Sequence, residues 1–165
     1  MGMSVTISAA AEEDVEQIFR LQYLCFQSEA ALYGNYRIDP LVQSLDSVRE
    51  EVVTDCVQVA RLGEEVVGSV RGRVNEDGAA AIGKLCVHPR LQGHGIGARL
   101  LRAAESALAD QRGAKRFRLH TGHRSEGNLG LYRRVGYETV GTVRSADGVP
   151  MIILEKTAGA YAATA

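Results

Sequence analysis

The apolar patterning of this sequence predicts an α/β fold: a mixed, mostly antiparallel central sheet of about seven strands flanked by about four helices. Three observations carry that reading. A meander of three strands and two turns fills the middle of the chain, a long amphipathic pattern follows it, and strands alternate with helical patterns on both sides. At 165 residues the chain can bury one sizeable core without disulfides or metals, so residues 1–157 are expected to form one domain and residues 158–165 a flexible tail.

Val5-Thr6-Ile7 reads as a first short strand. Ser8 or a neighbour is placed to cap a helix on which Val15, Ile18, Phe19, Leu21 and Tyr23 or Leu24 recur at helical spacing. Gly34-Asn35 and Asp39-Pro40 interrupt the pattern, which makes Glu29 to Leu45 a connecting loop. Ser47 with Glu50 matches a capping box, so a second helix is expected from Ser47 to Val53. The meander then runs through Val57 to Leu62, Val66 to Val74 and Ala79 to Val87, with turns at Gly63-Glu64-Glu65 and Asn75-Glu76-Asp77-Gly78.

Ile96, Leu100, Leu101, Ala104, Ala107 and Leu108 mark one face of a long helix that ends before Gly113. Phe117 to Thr121 is a strand, Leu129 to Val135 a short helix stopped at Gly136, and Tyr137 to Val143 and Met151 to Leu154 two closing strands. They turn at Ala146-Asp147-Gly148, and the small residues from Gly159 to Ala165 are expected to fray.

Nineteen lysines and arginines balance twenty aspartates and glutamates, so no strong field for nucleic acid or a membrane surface is expected. Cys25, Cys56 and Cys86 are odd in number and far apart, which suggests neither a disulfide framework nor a zinc site. No metal is therefore expected, and reduced thiols fit a cytoplasmic location. The first residues lack the basic and apolar pattern of an export signal, and no run reaches the ~20 apolar residues that span a bilayer.

The densest information lies in Gln92-Gly93-His94-Gly95-Ile96-Gly97, between a strand and the first turn of the long helix. Backbone N–H groups there have no intrahelical partner, glycines allow positive φ, and the helix dipole favours phosphate oxygens. A pyrophosphate suits such a loop. Two other readings compete: a tight loop without a ligand, and a dinucleotide turn, since Gly93, Gly95 and Ala98 fit G-x-G-x-x-G/A. Against the second, Pro89-Arg90-Leu91-Gln92 separates Val87 from the first glycine, and the next strand ends in His120-Thr121 rather than an acidic residue.

The run from Leu85 to Gly97 resembles the acetyl-CoA signature of the GNAT superfamily of N-acetyltransferases, Q/R-x-x-G-x-G/A, met by Gln92, Gly95 and Gly97. Leu131-Tyr132-Arg133-Arg134-Val135-Gly136-Tyr137 is similar to the family's LY-x-x-x-G-F/Y segment, and the order of elements from Val5 to Leu154 matches the family's. The resemblance implies a GNAT fold with strands four and five splayed, and acetyl-CoA as co-substrate. Leu85, Cys86 and Val87 would meet its pantetheine arm, and Gln92, Gly93, His94, Gly95, Ile96 and Gly97 its pyrophosphate.

Acetyl transfer to an amine needs a neutral nucleophile, a stabilised oxyanion and a proton for the departing thiolate. The resemblance assigns the proton to Tyr132 and also sets it beside the CoA sulfur; a tyrosine on the apolar face of a short helix also serves as core. Many members carry a glutamate base in strand four, but here that strand reads Ala79-Ala80-Ala81-Ile82-Gly83-Lys84. His120 is the nearest titratable substitute, against a structural or solvated histidine.

Members often have an asparagine at the position of Ser125; Asn128, four residues before Tyr132, could instead bond the cofactor or cap the short helix. The acceptor is expected to be a small-molecule amine, with Glu29, Tyr33 and Tyr36 as candidate contacts. A protein N-terminus or lysine is the other acceptor class, and a silent acyl-CoA sensor the other function class. Cys86 could in principle carry the acetyl group, but direct attack in a ternary complex is expected. Pairing through Met151 to Leu154 would make a homodimer.

Overall fold

The computed structural model describes residues 4–159, so the expected fray over 160–165 lies outside the described residues. The strands are β1 (Val5–Ala9), β2 (Cys56–Leu62), β3 (Glu65–Val74), β4 (Ala79–Val87), β5 (Arg116–Gly122), β6 (Glu138–Arg144) and β7 (Pro150–Thr157). The helices are α1 (Val15–Cys25), α2 (Gln27–Tyr33), α3 (Asp39–Val42), α4 (Leu45–Thr54), α5 (Ile96–Arg112) and α6 (Glu126–Arg134). All seven strands join one sheet in the order β1-β2-β3-β4-β5-β7-β6. The ladders are antiparallel at β1 with β2, β2 with β3, β5 with β7 and β6 with β7, and parallel at β4 with β5. The mixed sheet expected from the sequence is the one observed.

Two compact units divide the described chain. The first runs to Gly72 and takes in Lys84–Ala104; the second holds Arg73–Gly83 and the chain from Glu105 onward. The core of the first unit gathers Val15, Ile18 and Leu21 of α1, Val48 of α4, Val57 and Val59 of β2, Val66 of β3 and Cys86 of β4. Alternation on the strands and i, i+3 spacing on α1 put these side chains inward. Gly68 has a packing reason: a Cβ there would stand 2.8 Å from Leu100 Cδ1 and 3.1 Å from Cys86 O. The six apolar residues expected on the face of α5 are all buried.

In the second unit Phe117 and Leu119 of β5 and Leu154 of β7 are buried with Leu129, Tyr132, Val135 and Tyr137. Glu105 has no solvent exposure, and it is satisfied by the Tyr137 hydroxyl at 2.8 Å and Lys156 Nζ at 2.9 Å. A buried carboxylate kept in this way is neutralised and hydrogen-bonded rather than orphaned.

Several sequence expectations are corrected. Ser8 lies inside β1, and the entry to α1 is instead a 3-10 turn at Glu12–Asp14. Asp14 closes that turn by accepting from Ala11 N–H at 2.8 Å, and it pairs with Arg61 through contacts of 2.6 and 2.7 Å. The Arg61 hydrogen bond holds the Asp14 carboxyl below its usual range, against the opposing effect of burial. On α1 the buried residue after Leu21 is Gln22, while Tyr23 and Leu24 are 57% and 47% exposed. The amide is admitted because it donates to Pro40 O at 3.0 Å and to Gln43 Oε1 at 2.9 Å.

The stretch Glu29 to Leu45 is not a loop throughout, since it carries most of α2 and all of α3. Gly34, at φ 63°, is the left-handed C-cap of α2, and Pro40 sits in the first turn of α3, where its missing N–H costs nothing. Ser44, not Ser47, caps α4: its hydroxyl accepts from Ser47 N–H at 3.1 Å, so the helix starts at Leu45. β7 lies between β5 and β6, and the two edge strands of the sheet are β1 and β6.

Candidate functional site

From the end of β4 to the start of α5 the chain prepares a row of backbone donors. β4 pairs with β5 from Ala79 opposite Arg116 to Ile82 opposite Leu119, and then continues to Val87. His88 follows; its N–H donates to Val67 O at 2.8 Å and its Nδ1 accepts from Arg90 N–H at 3.2 Å. This fixes a 3-10 turn at Pro89–Leu91, and Gln92 Nε2 reaches back to Val87 O at 3.2 Å. His88 is thus a turn-forming residue.

Gly93 and Gly95 have φ of 84° and 77°, and a Cβ on either would meet nothing within 4 Å. Their requirement is conformational rather than spatial. Gly95 O accepts from Arg99 N–H at 3.2 Å, so the N–H groups of Ile96, Gly97 and Ala98 precede the first i−4 bond of α5. Ile96 is buried and anchors the helix start, whereas Gln92, Gly93, His94 and Gly95 are exposed. Donors, dipole and open access make this helix terminus fit for a phosphate group.

Leu85 and Val87 are half-buried, and Cys86 is buried in the core cluster. Cys86 Sγ lies 3.7 Å from Ser69 Oγ, and Cys25 Sγ donates to Val87 O at 3.4 Å. Its hydrogen bond with Cys86, then burial, push the Cys25 thiol up, so it stays protonated. Cys86 packs there as a small apolar side chain.

Beside β4 lies a polar network that sequence reasoning missed. Arg71 donates to Gln22 Oε1, to Glu51 Oε1 at 3.1 Å and to Ser69 Oγ at 3.3 Å. Gln43 Nε2 donates to Glu51 Oε1 at 2.8 Å and Ser47 Oγ at 3.1 Å. Lys84 Nζ meets Asp39 Oδ2 at 2.7 Å, Gln43 Oε1 at 2.9 Å and Glu51 Oε2 at 3.1 Å. Burial pushes the Glu51 carboxyl up, but Gln43, Arg71 and Lys84 outweigh it and hold the group ionised below its usual range. The available signal was polar residues at buried positions: Gln22 one turn after Ile18, and Arg71 within the apolar strand β3.

Of the acceptor candidates, Glu29 and Tyr33 lie four apart on α2 and are half-buried on one face, while Tyr36 follows the helix at 58% exposure.

In the second unit Tyr132 is buried on α6, with its ring centroid 6.2 Å from that of Tyr137. Tyr137 is the structural tyrosine of the motif, because burial and then Glu105 push its phenol up and lock it as a donor. His120 stands on β5 opposite Ile153 of β7 with an exposed side chain. Partial desolvation, then the Arg118 charge, hold its imidazole below the ordinary value of 6.5. Asn128 lies within α6 and does not cap it, because Ser125 takes the N-cap position once the helix starts at Glu126. Its amide donates to Thr121 Oγ1 at 3.4 Å. Among the described residues no group of three or more His, Cys, Asp or Glu is arranged to hold a metal ion, and no helix is long and apolar enough to cross a membrane.

A family model described as the acetyltransferase (GNAT) family matches residues 15–137. Among solved structures the chain is similar to a PaiA N-acetyltransferase from Thermoplasma acidophilum in complex with coenzyme A, at TM-score 0.77 and 18% identity, covering 94% of this chain and 99% of that one. It is also similar to an aminoglycoside 6'-acetyltransferase type Ii, at TM-score 0.74 and 23% identity, covering 93% and 97%. A ribosomal-protein alanine N-acetyltransferase from Escherichia coli gives TM-score 0.69 and 18% identity, covering 93% and 94%. At these identities the likeness establishes the fold.

Proposed function

Since the chain belongs to the acetyltransferase (GNAT) family, we propose that it transfers acetyl from acetyl-CoA to the primary amine of a small molecule by direct attack in a ternary complex. The observation that carries this reading is the loop from Gln92 to Gly97, where two left-handed glycines lead into the N-terminus of α5. Its donors suit the CoA pyrophosphate, and the backbone of Leu85, Cys86 and Val87 is the place for the pantetheine arm.

In this reading the neutral amine attacks the thioester carbon, the carbonyl oxygen takes the negative charge, and the C–S bond breaks as the oxyanion collapses. Tyr132 supplies the proton to the departing thiolate, and His120, neutral at pH 7, receives the amine's proton. Glu29, Tyr33 and Tyr36 are the proposed acceptor contacts. The aminoglycoside acetyltransferase among the similar folds supports a small amine, and the ribosomal-protein enzyme makes a protein acceptor the alternative.

Calorimetry with CoA, combined with an amine screen for thiol release, tests the proposal. Binding with turnover of a small amine is expected; binding without thiol release for any amine or peptide makes the protein a sensor. In the active enzyme kcat/KM should fall as pH drops through the His120 value, which lies below 6.5, because only neutral imidazole accepts a proton. His120→Ala should remove that limb, and an unchanged profile would return the proton to water.

A further inference from the structure

Lys84 has φ 50°, the one positive φ at a residue other than glycine among the described residues, and it sits inside β4. A Cβ makes the left-handed region sterically unfavourable. The preceding Gly83, which has no Cβ, would adopt it freely, yet it is not among the positive-φ glycines. The strained residue is therefore the one with a long cationic side chain, and something must hold it.

The hold is the ammonium. Lys84 Nζ is gripped by Asp39 of α3, by Gln43 just after α3 and by Glu51 of α4, all within 3.1 Å, with its side chain only 16% exposed. Glu51 is itself fixed by Arg71 and Gln43. Two helices thus clamp one residue of the strand, two positions after its ladder with β5 ends at Ile82. A left-handed residue in a strand breaks the alternation of side chains and turns the following backbone groups. Those groups belong to Leu85, Cys86 and Val87.

We infer that Lys84 is a positioning residue for the cofactor: its clamped ammonium holds the left-handed turn that aims the backbone of Leu85 to Val87 at the pantetheine arm. The inference rests on the CoA reading above. One side chain thus does two separable things: it supplies charge to a network and it fixes a backbone angle.

Two substitutions divide them. Lys84→Met keeps the aliphatic stem but removes the clamp, so the residue relaxes from the left-handed region. Lys84→Gly removes the clamp equally but adopts positive φ without steric cost. CoA affinity by calorimetry should fall about tenfold in Lys84→Met and stay within about threefold of wild type in Lys84→Gly, while both lose similar thermal stability. Equal CoA affinities in the two variants would overturn the inference, since a network role alone predicts equality. Asp39→Asn, which alters a largely exposed partner of the ammonium, gives a milder version: CoA affinity should fall about two- to threefold, and an unchanged value counts against the clamp. A wild-type protein that binds no CoA would instead sink the cofactor reading itself.

Discussion

At Gly93 and Gly95 the chain needs a backbone angle, not room, because the space beside each is open. Gly93→Ala should therefore cost about 1–2 kcal/mol of strain wherever the loop keeps its shape. It should weaken CoA binding in calorimetry more than it lowers Tm, since an exposed loop can relax. Tyr132→Phe removes only a hydroxyl, so CoA should still bind while kcat falls about 100-fold if the phenol protonates the thiolate. An intact kcat across pH would assign Tyr132 to packing against Tyr137. The left-handed angles at Gly93 and Gly95 were legible because positive φ is a property of glycine itself, and Tyr132 was singled out by a contiguous motif. Gln22, Gln43, Glu51, Arg71 and Lys84 were not, since their meaning depends on contacts between segments remote in sequence.

Among the elements, the long α5 and the meander were legible because a periodic pattern sustained over many residues outweighs any single exception. The short helices α2 and α3 were hidden by Gly34 and Pro40, which end and begin helices as readily as they mark loops. The start of α4 offered two serines, and only geometry chose between them. Ser44→Ala should destabilise the protein by about 1 kcal/mol through loss of the cap, measured by urea unfolding. At the entry to α1, the Asp14 carboxyl is depressed by Arg61, so its stabilisation is present above the unfolded value of 3.8 and is lost as pH falls through the folded one. Asp14→Asn should cost about 1–3 kcal/mol at pH 7, with the difference from wild type shrinking in acid unfolding below pH 3.8.

For the whole molecule, the seven strands and their order along the chain followed from pattern, but α2, α3 and the sheet neighbours outside the meander did not. The parallel pairing of β4 with β5, and the insertion of β7 between β5 and β6, are long-range choices that no local run encodes. A ligand that binds only the folded chain stabilises all of it, so CoA at 100 times its Kd should add about 2.7 kcal/mol and raise Tm. A Tm unmoved by CoA would argue against a preformed loop. The polar network beside β4 also constrains how this sequence can change over time. Arg71, Glu51, Gln43 and Gln22 satisfy one another inside the fold, so replacing one removes a hydrogen-bond partner from each neighbour it touches. Mutational drift at these positions must proceed in concerted steps, and relatives that abandon one member should have abandoned its partners with it.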